Sequence, residues 1–205
     1  ILNIKEKHLF YEKISKIKSI KQIILAGSCM EYKNRYKTCH EDDSTICDNY
    51  LNLSKITVMN MIKKIFIETK VNLIWLRIFY AYGKGQRTGS LIPYIINNLK
   101  SNKKVNIKNF DTKNDFIHID DIADLIKILI RKKIKSGIYN VGSGNVVSIR
   151  YVYKIICEIF NKKTNIPLIR KNIAFKADIT KIKKATNWQP KIKLNKHTLI
   201  NIINA

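Results

Sequence analysis

KQIILAGS, residues 21–28, is the stretch that decides how the chain is read. Ile23 to Ala26 run without a charge into Gly27-Ser28. A short apolar run ending in glycine is the pattern of a strand buried on both faces that opens into a loop. Further along, VNLIWLRIF (71–79) repeats the pattern, and GIYNVGSG (137–144) reads as a strand followed by a turn. Between the first two, Ile56, Met59, Ile62, Ile65 and Phe66 recur at helical spacing, which predicts a helix from Asn52 to about Thr69. Residues 33–50 are polar, carry Glu41-Asp42-Asp43, and read as a long loop. Before Lys21 there is room for one helix.

The remaining segments continue the alternation. YGKGQRTGS (82–90) is a glycine-punctuated loop, with Ser90 as the cap of a helix and Pro93 in its first turn. KKVNIK (103–108) is expected as a short strand, and Phe116 to Asp121 lead into a helix ending about Lys132. Ser148 is expected to cap a helix with Val152, Ile155, Ile156 and Ile159 on its apolar face. Asp178 is expected to cap a helix through about Thr186. Strand and helix in turn predict an α/β fold with a mostly parallel sheet. No internal repeat or linker is visible.

Bulk properties narrow the function classes. Of 205 residues 45% are apolar, enough for a sizeable core. The formal charge is +24, but the lysines are scattered, alternate with Ile and Asn, and accompany no aromatic-studded basic motif. That is a composition bias and disfavours a dedicated nucleic-acid site. No apolar run approaches a membrane span of about 18 residues. The opening ILNIKEKHLF lacks the plan of a secretion signal, so a cytoplasmic chain is expected. Cys29, Cys39, Cys47 and Cys157 fit no CxxC spacing; no metal site is expected, and free thiols in a reducing compartment are.

A dinucleotide fold usually opens with a strand and a G-x-G-x-x-G turn, which lets backbone amides approach a pyrophosphate. Gly83-x-Gly85 is followed by Gly89, one residue late, and Gly142-x-Gly144 has Val147 in the third place. Both read as ordinary turn glycines. The expectation is therefore a chain lacking the phosphate-binding unit.

Six stretches occur in order: GSCMEY (27–32), Ser54-Lys55 at the head of a long helix, LRIFYAYGKGQ (76–86), NDFIHIDDIA (114–123), YNVGSG (139–144) and ADITKIKKATNWQPKI (177–192). Together they resemble the extended short-chain dehydrogenase/reductases, the NAD-dependent epimerase/dehydratase family that acts on nucleotide sugars. GSCMEY is similar to the 4-ketoreductases of 6-deoxy-sugar nucleotides. The resemblance implies a partial doubly wound, Rossmann-like parallel sheet with a small C-terminal substrate lobe. Residues 21–88 would be the remainder of the nucleotide-binding core, and 89–205 mixed core strands and the substrate-binding lobe. It implies NAD or NADP as cofactor and a nucleotide-sugar substrate, and leaves a homodimer open.

The resemblance also assigns roles. Ser28 takes the place of the serine that holds the sugar oxygen. Lys55 takes that of the lysine that lowers a tyrosine's pKa and holds the nicotinamide ribose. Phe79 and Tyr80 follow the strand that approaches the nicotinamide, and Tyr80 and Arg87 are placed toward the substrate. Asn114 stands where arginine is common, which removes a bidentate phosphate partner. His118 and Asp121 match a structural His-x-x-Asp, and Asn140 and Ser143 are expected to stabilise their turn.

One position departs from the pattern. A phenol with pKa about 10 becomes a useful base when an ammonium stands one helical turn away. The tyrosine would be residue 51, and here it is Leu51, with Tyr50 beside it. On an ideal helix Tyr50 and Lys55 are about 140° apart. Tyr50 substitutes if a π-type bulge realigns it or if it reaches in from just before the helix. Otherwise it is an aromatic at the helix start and the relay position is lost. The expected function is NAD(P)-dependent 4-keto reduction or epimerisation of a sugar nucleotide, impaired by a missing N-terminal half and by Leu51. The alternatives are an inactive fold remnant and a basic module for nucleic acid or an acidic partner.

Overall fold

The computed structural model describes residues 4–164, 166 and 173–204. Helix α1 (Ile4–Ser15) leads into β1 (Gln22–Ala26), which is followed by a three-residue 3-10 turn, Cys29–Glu31. β2 (Thr38–Cys39) interrupts the polar stretch before α2 (Tyr50–Phe66), and β3 (Asn72–Ile78) follows. β1, β3 and β6 (Gly137–Val141) form a parallel sheet in that order, in the registers Gln22↔Asn72 and Ile74↔Gly137.

Apolar side chains leave both faces of this sheet, which is why its strands read as near-continuous hydrophobic runs. Ile23, Leu25 and Leu73 pack with Tyr11, Ile14, Val58, Ile62 and Phe66 of α1 and α2. Ile24, Ile74, Leu76 and Tyr139 meet the opposite layer, built from α4 (Ile119–Arg131) and α6 (Thr180–Thr186). The fold is thus α/β with helices on both faces of a parallel sheet. Among the described residues β1 pairs with β3 alone.

The chain changes sheets at one residue. VNLIWLRIF is not a single strand: β3 stops at Ile78, Phe79 donates its N–H to Val141 O at 2.9 Å, and β4 (Tyr80–Tyr82) enters a second sheet. That sheet runs β2-β8-β5-β4, where β5 is Lys113–His118 and β8 is Ala174–Ala177. β7 (Val146–Ser148) pairs antiparallel with β5. A second core of Tyr82, Phe116, Ile95, Val152, Ile156 and Leu199 joins the sheet to α3 (Leu91–Lys100), α5 (Ile149–Ile159) and α7 (Lys196–Ile203).

Several local expectations need correction. Residues 103–108 form no strand; the Tyr94 hydroxyl takes the Asn106 N–H and donates to its carbonyl, occupying the groups a ladder would use. Phe116 belongs to β5, and α4 starts only at Ile119, with His118 Nδ1 accepting the Asp120 N–H. Ser90 occupies the cap position of α3 without a side-chain hydrogen bond. Asp178 accepts the Thr180 N–H at 2.7 Å, but the cap position of α6 is Ile179. Ser148 does cap α5, accepting from the Tyr151 N–H. The four cysteines are free thiols, three of them buried. Among the described residues no helix is long and apolar enough to cross a membrane, and no cluster of His, Cys, Asp or Glu could hold a metal.

Candidate active site

Two of the residues singled out in the sequence lie at the C-terminal end of β1. The Ala26 carbonyl, the last of the strand, accepts a hydrogen bond from Lys55 Nζ at 2.8 Å. α2 packs on that side of the sheet and brings Lys55 to the strand end. Lys55 is half-buried, and burial pushes its pKa down, against the opposing pull of the Glu31 carboxylate. Two of its three N–H donors are left for other partners.

Ser28 lies two residues past Ala26. Its Oγ accepts the Met30 N–H at 3.1 Å, and its own N–H donates to Glu31 Oε1 at 2.7 Å. This capping box fixes the side chain at the head of the 3-10 turn. A hydroxyl so anchored as acceptor keeps its proton to donate. Gly27 is required just before it: a Cβ there would meet Trp75 Nε1 at 2.2 Å and Glu31 Oε1 at 2.7 Å.

Beneath this corner is a buried polar network that the sequence reading did not find. Glu31 Oε2 accepts from Arg77 Nε at 2.9 Å, and Trp75 Nε1 donates to the same carboxylate at 3.2 Å. Arg77 donates onward to Glu41 O at 2.8 Å, and its guanidinium lies 4.5 Å from the centroid of the Tyr32 ring. The Tyr32 hydroxyl donates to Asn140 Oδ1 at 2.6 Å, and the Asn140 N–H donates to Glu41 Oε1 at 2.9 Å. Burial pushes the Tyr32 phenol up to about 12. The signal was present: Arg77 is a cation inside an apolar strand, and a buried cation requires a partner.

The tyrosine question has a geometric answer. α2 is α-helical from Tyr50 to Phe66, with Asn49 capping it through the Asn52 N–H. Tyr50 is its first residue and is 91% exposed. Leu51, one turn ahead of Lys55, is 54% exposed. The Tyr50 phenol is therefore open to water.

The other expected contacts are mixed. Phe79 is 3% exposed, packed against Phe175 with ring centroids 5.1 Å apart and against Tyr32 at 6.3 Å. Tyr80 is half-buried beside Phe116, its hydroxyl 4.0 Å from Met30 Sδ, and burial pushes its pKa up to about 12. Arg87 is exposed in the loop between β4 and α3. His118 and Asp121 hold structure. His118 packs edge-on against Tyr82, and the Asp121 carboxylate accepts the N–H groups of Lys191 and Ile192.

The Gly142–Gly144 turn is not an open pyrophosphate cradle. At Gly142–Gly144 the N–H groups of Ser143 and Gly144 donate to the Asp115 carboxylate at 2.6 and 3.0 Å. Those amides are satisfied inside the protein. Asn140 pins the 39–41 segment, and the Ser143 hydroxyl donates to Asp115 at 2.7 Å, so both hold the surroundings of the turn.

The profile of the "NAD dependent epimerase/dehydratase family" matches residues 13–142, more than half of the chain. The chain belongs to that family. Among curated relatives, a CDP-abequose synthase of Salmonella muenchen is 31% identical over 99 residues, 46% of this chain and 34% of its own length. An ADP-L-glycero-D-manno-heptose-6-epimerase of Brachyspira hyodysenteriae is 30% identical over 150 residues, 68% of this chain and 46% of its own length. This epimerase/dehydratase chain thus spans less than half the length of either. Among solved structures, UDP-glucuronic acid 4-epimerase from Bacillus cereus in complex with NAD superposes at TM-score 0.88 with 21% identity. It covers 98% of this chain and 67% of the epimerase. That likeness establishes the Rossmann-like fold.

Proposed function

We propose that these residues carry the sugar-facing part of a nucleotide-sugar oxidoreductase site with an impaired proton relay. The reaction class is NAD(P)-dependent 4-keto reduction or epimerisation. The carrying observation is Lys55 bonded to the Ala26 carbonyl at the end of β1, two residues before Ser28, with Leu51 rather than a phenol one turn ahead of Lys55. Family membership supports the cofactor class and the nucleotide-sugar substrate.

The residues fit one end of the cofactor. Lys55 has free N–H donors for the nicotinamide ribose, and the Ser28 hydroxyl has a proton for a sugar oxygen. Tyr80 and Arg87 line the approach of the substrate. The nicotinamide, when bound, supplies hydride exchange with a sugar carbon. The Gly142–Gly144 amides are held by Asp115, which supports a pyrophosphate end without a cradle at that turn. Leucine neither accepts nor donates a proton, so Ser28 can orient a sugar oxygen and Lys55 the nicotinamide ribose, without the group that would move the sugar's proton.

Titration of the 205-residue chain with NADH and NADPH, followed by nicotinamide fluorescence, tests this reading. Weak or unsaturable binding is expected. Tight, saturable binding of either nucleotide would refute the incomplete cofactor site.

A further inference from the structure

A cavity of ≈ 680 Å³ opens between β7, the first turn of α5 and the strap formed by residues 190–194. It shares no residue with the Ser28–Lys55 corner. Its volume lies in the range of small-molecule sites, about 300–1,000 Å³. Phe116, Val147 and Leu194 contribute apolar lining, and Lys113, Lys191 and Lys193 are also among the lining residues. No carboxylate is among the lining residues, and none of the three lysines is ion-paired among the described residues.

The frame that presents these cations is fixed. The N–H groups of Lys191 and Ile192 donate to the buried Asp121 carboxylate at 2.9 and 3.0 Å. The Lys193 carbonyl accepts from Thr198 Oγ1 at 2.6 Å. Lys113 is held in β5 between Ser148 of β7 and Ala174 of β8. Ser148 Oγ accepts the Tyr151 N–H, so its proton is free to donate. Backbone order of this kind lowers the cost of gathering like charges around a ligand.

We propose that this cavity binds a small organic phosphate monoester. The apolar body covers Phe116, Val147 and Leu194, and the phosphate dianion meets Lys113, Lys191 and Lys193. Lysine serves as a compact point cation for phosphate, and the dianion offsets the mutual repulsion of the three ammonium groups.

Isothermal titration of the chain with phenyl phosphate, inorganic phosphate and benzyl alcohol tests this. Phenyl phosphate is expected to saturate and to bind more tightly than either fragment. Lys193→Glu, at an exposed position, is expected to weaken it about tenfold or more, the loss of one charge-assisted contact. Lys63→Glu, exposed on α2 and equal in net-charge change, is expected to leave it unchanged. Absence of saturable phenyl phosphate binding, equal affinity for inorganic phosphate, or an equal loss in Lys63→Glu would overturn the proposal. None of these outcomes bears on the Ser28–Lys55 reading, whose test uses a nicotinamide nucleotide.

Discussion

Arg77 and Glu31 form an ion pair at 2.9 Å with side chains 2% and 0% exposed, directly below the Ser28 turn. Glu31 also takes the Ser28 N–H, so the same carboxylate ties the candidate sugar-binding hydroxyl to the C-terminal part of β3. Removing one partner would leave the other charge buried without compensation, which costs about 3–5 kcal/mol. Arg77→Ala is therefore expected to lower stability by that amount, read as a lower urea midpoint. A loss below about 1 kcal/mol, the range of exposed pairs, would contradict the description of this pair as buried.

Gly27 is expected to tolerate no side chain. A Cβ would press on the Trp75 indole and the Glu31 carboxylate together, and neither is a flexible chain end. Gly27→Ala should cost about 1–3 kcal/mol, the range for overpacking. It should also disturb the Trp75 environment, visible as a shift in tryptophan emission. Gly85→Ala lacks such a clash, but its φ of +75° makes it strained for a separate, conformational reason.

Tyr80 gives a pH signature. Its folded-state pKa, pushed up to about 12 by burial, lies above the ordinary value of 10.0. The unfolded chain therefore loses this proton first as pH rises. The contribution is fully present below about 10 and declines from there toward about 12, by about 1.4 kcal/mol for each pH unit crossed. Among the described residues the hydroxyl has only a 4.0 Å sulfur contact, so Tyr80→Phe is a mild substitution. Urea unfolding between about pH 9 and about pH 11.5 should show a steeper alkaline loss in the wild type than in Tyr80→Phe. Parallel slopes would contradict the assignment.

The sequence made the first sheet legible because its strands pack apolar side chains on both faces. QIILA and NLIWLRI have no polar alternation to confuse with a helix, and their flanking helices carry clear apolar faces. The second sheet was not legible. VVS and AFKA are strands of three and four residues whose ladders depend on β5, and nothing local distinguishes them from loop. KKVNIK failed in the opposite sense: its alternation is right, but the Tyr94 hydroxyl takes the Asn106 backbone groups. At the site, Ser28, Leu51 and Lys55 were singled out through the family resemblance. The network of Glu31, Tyr32, Arg77, Glu41 and Asn140 was not, because its members are joined only by long-range contacts.

The most direct test of the central claim compares Tyr50→Phe and Leu51→Tyr for nucleotide-sugar turnover, in the longest form of the protein that expresses. With the relay position at residue 51, Tyr50→Phe should match the wild type. Leu51→Tyr should raise turnover toward the roughly 10²–10⁴-fold contribution of a positioned acid–base group. A wild type that turns over and is abolished by Tyr50→Phe, with no gain from Leu51→Tyr, would show that the exposed phenol is the relay.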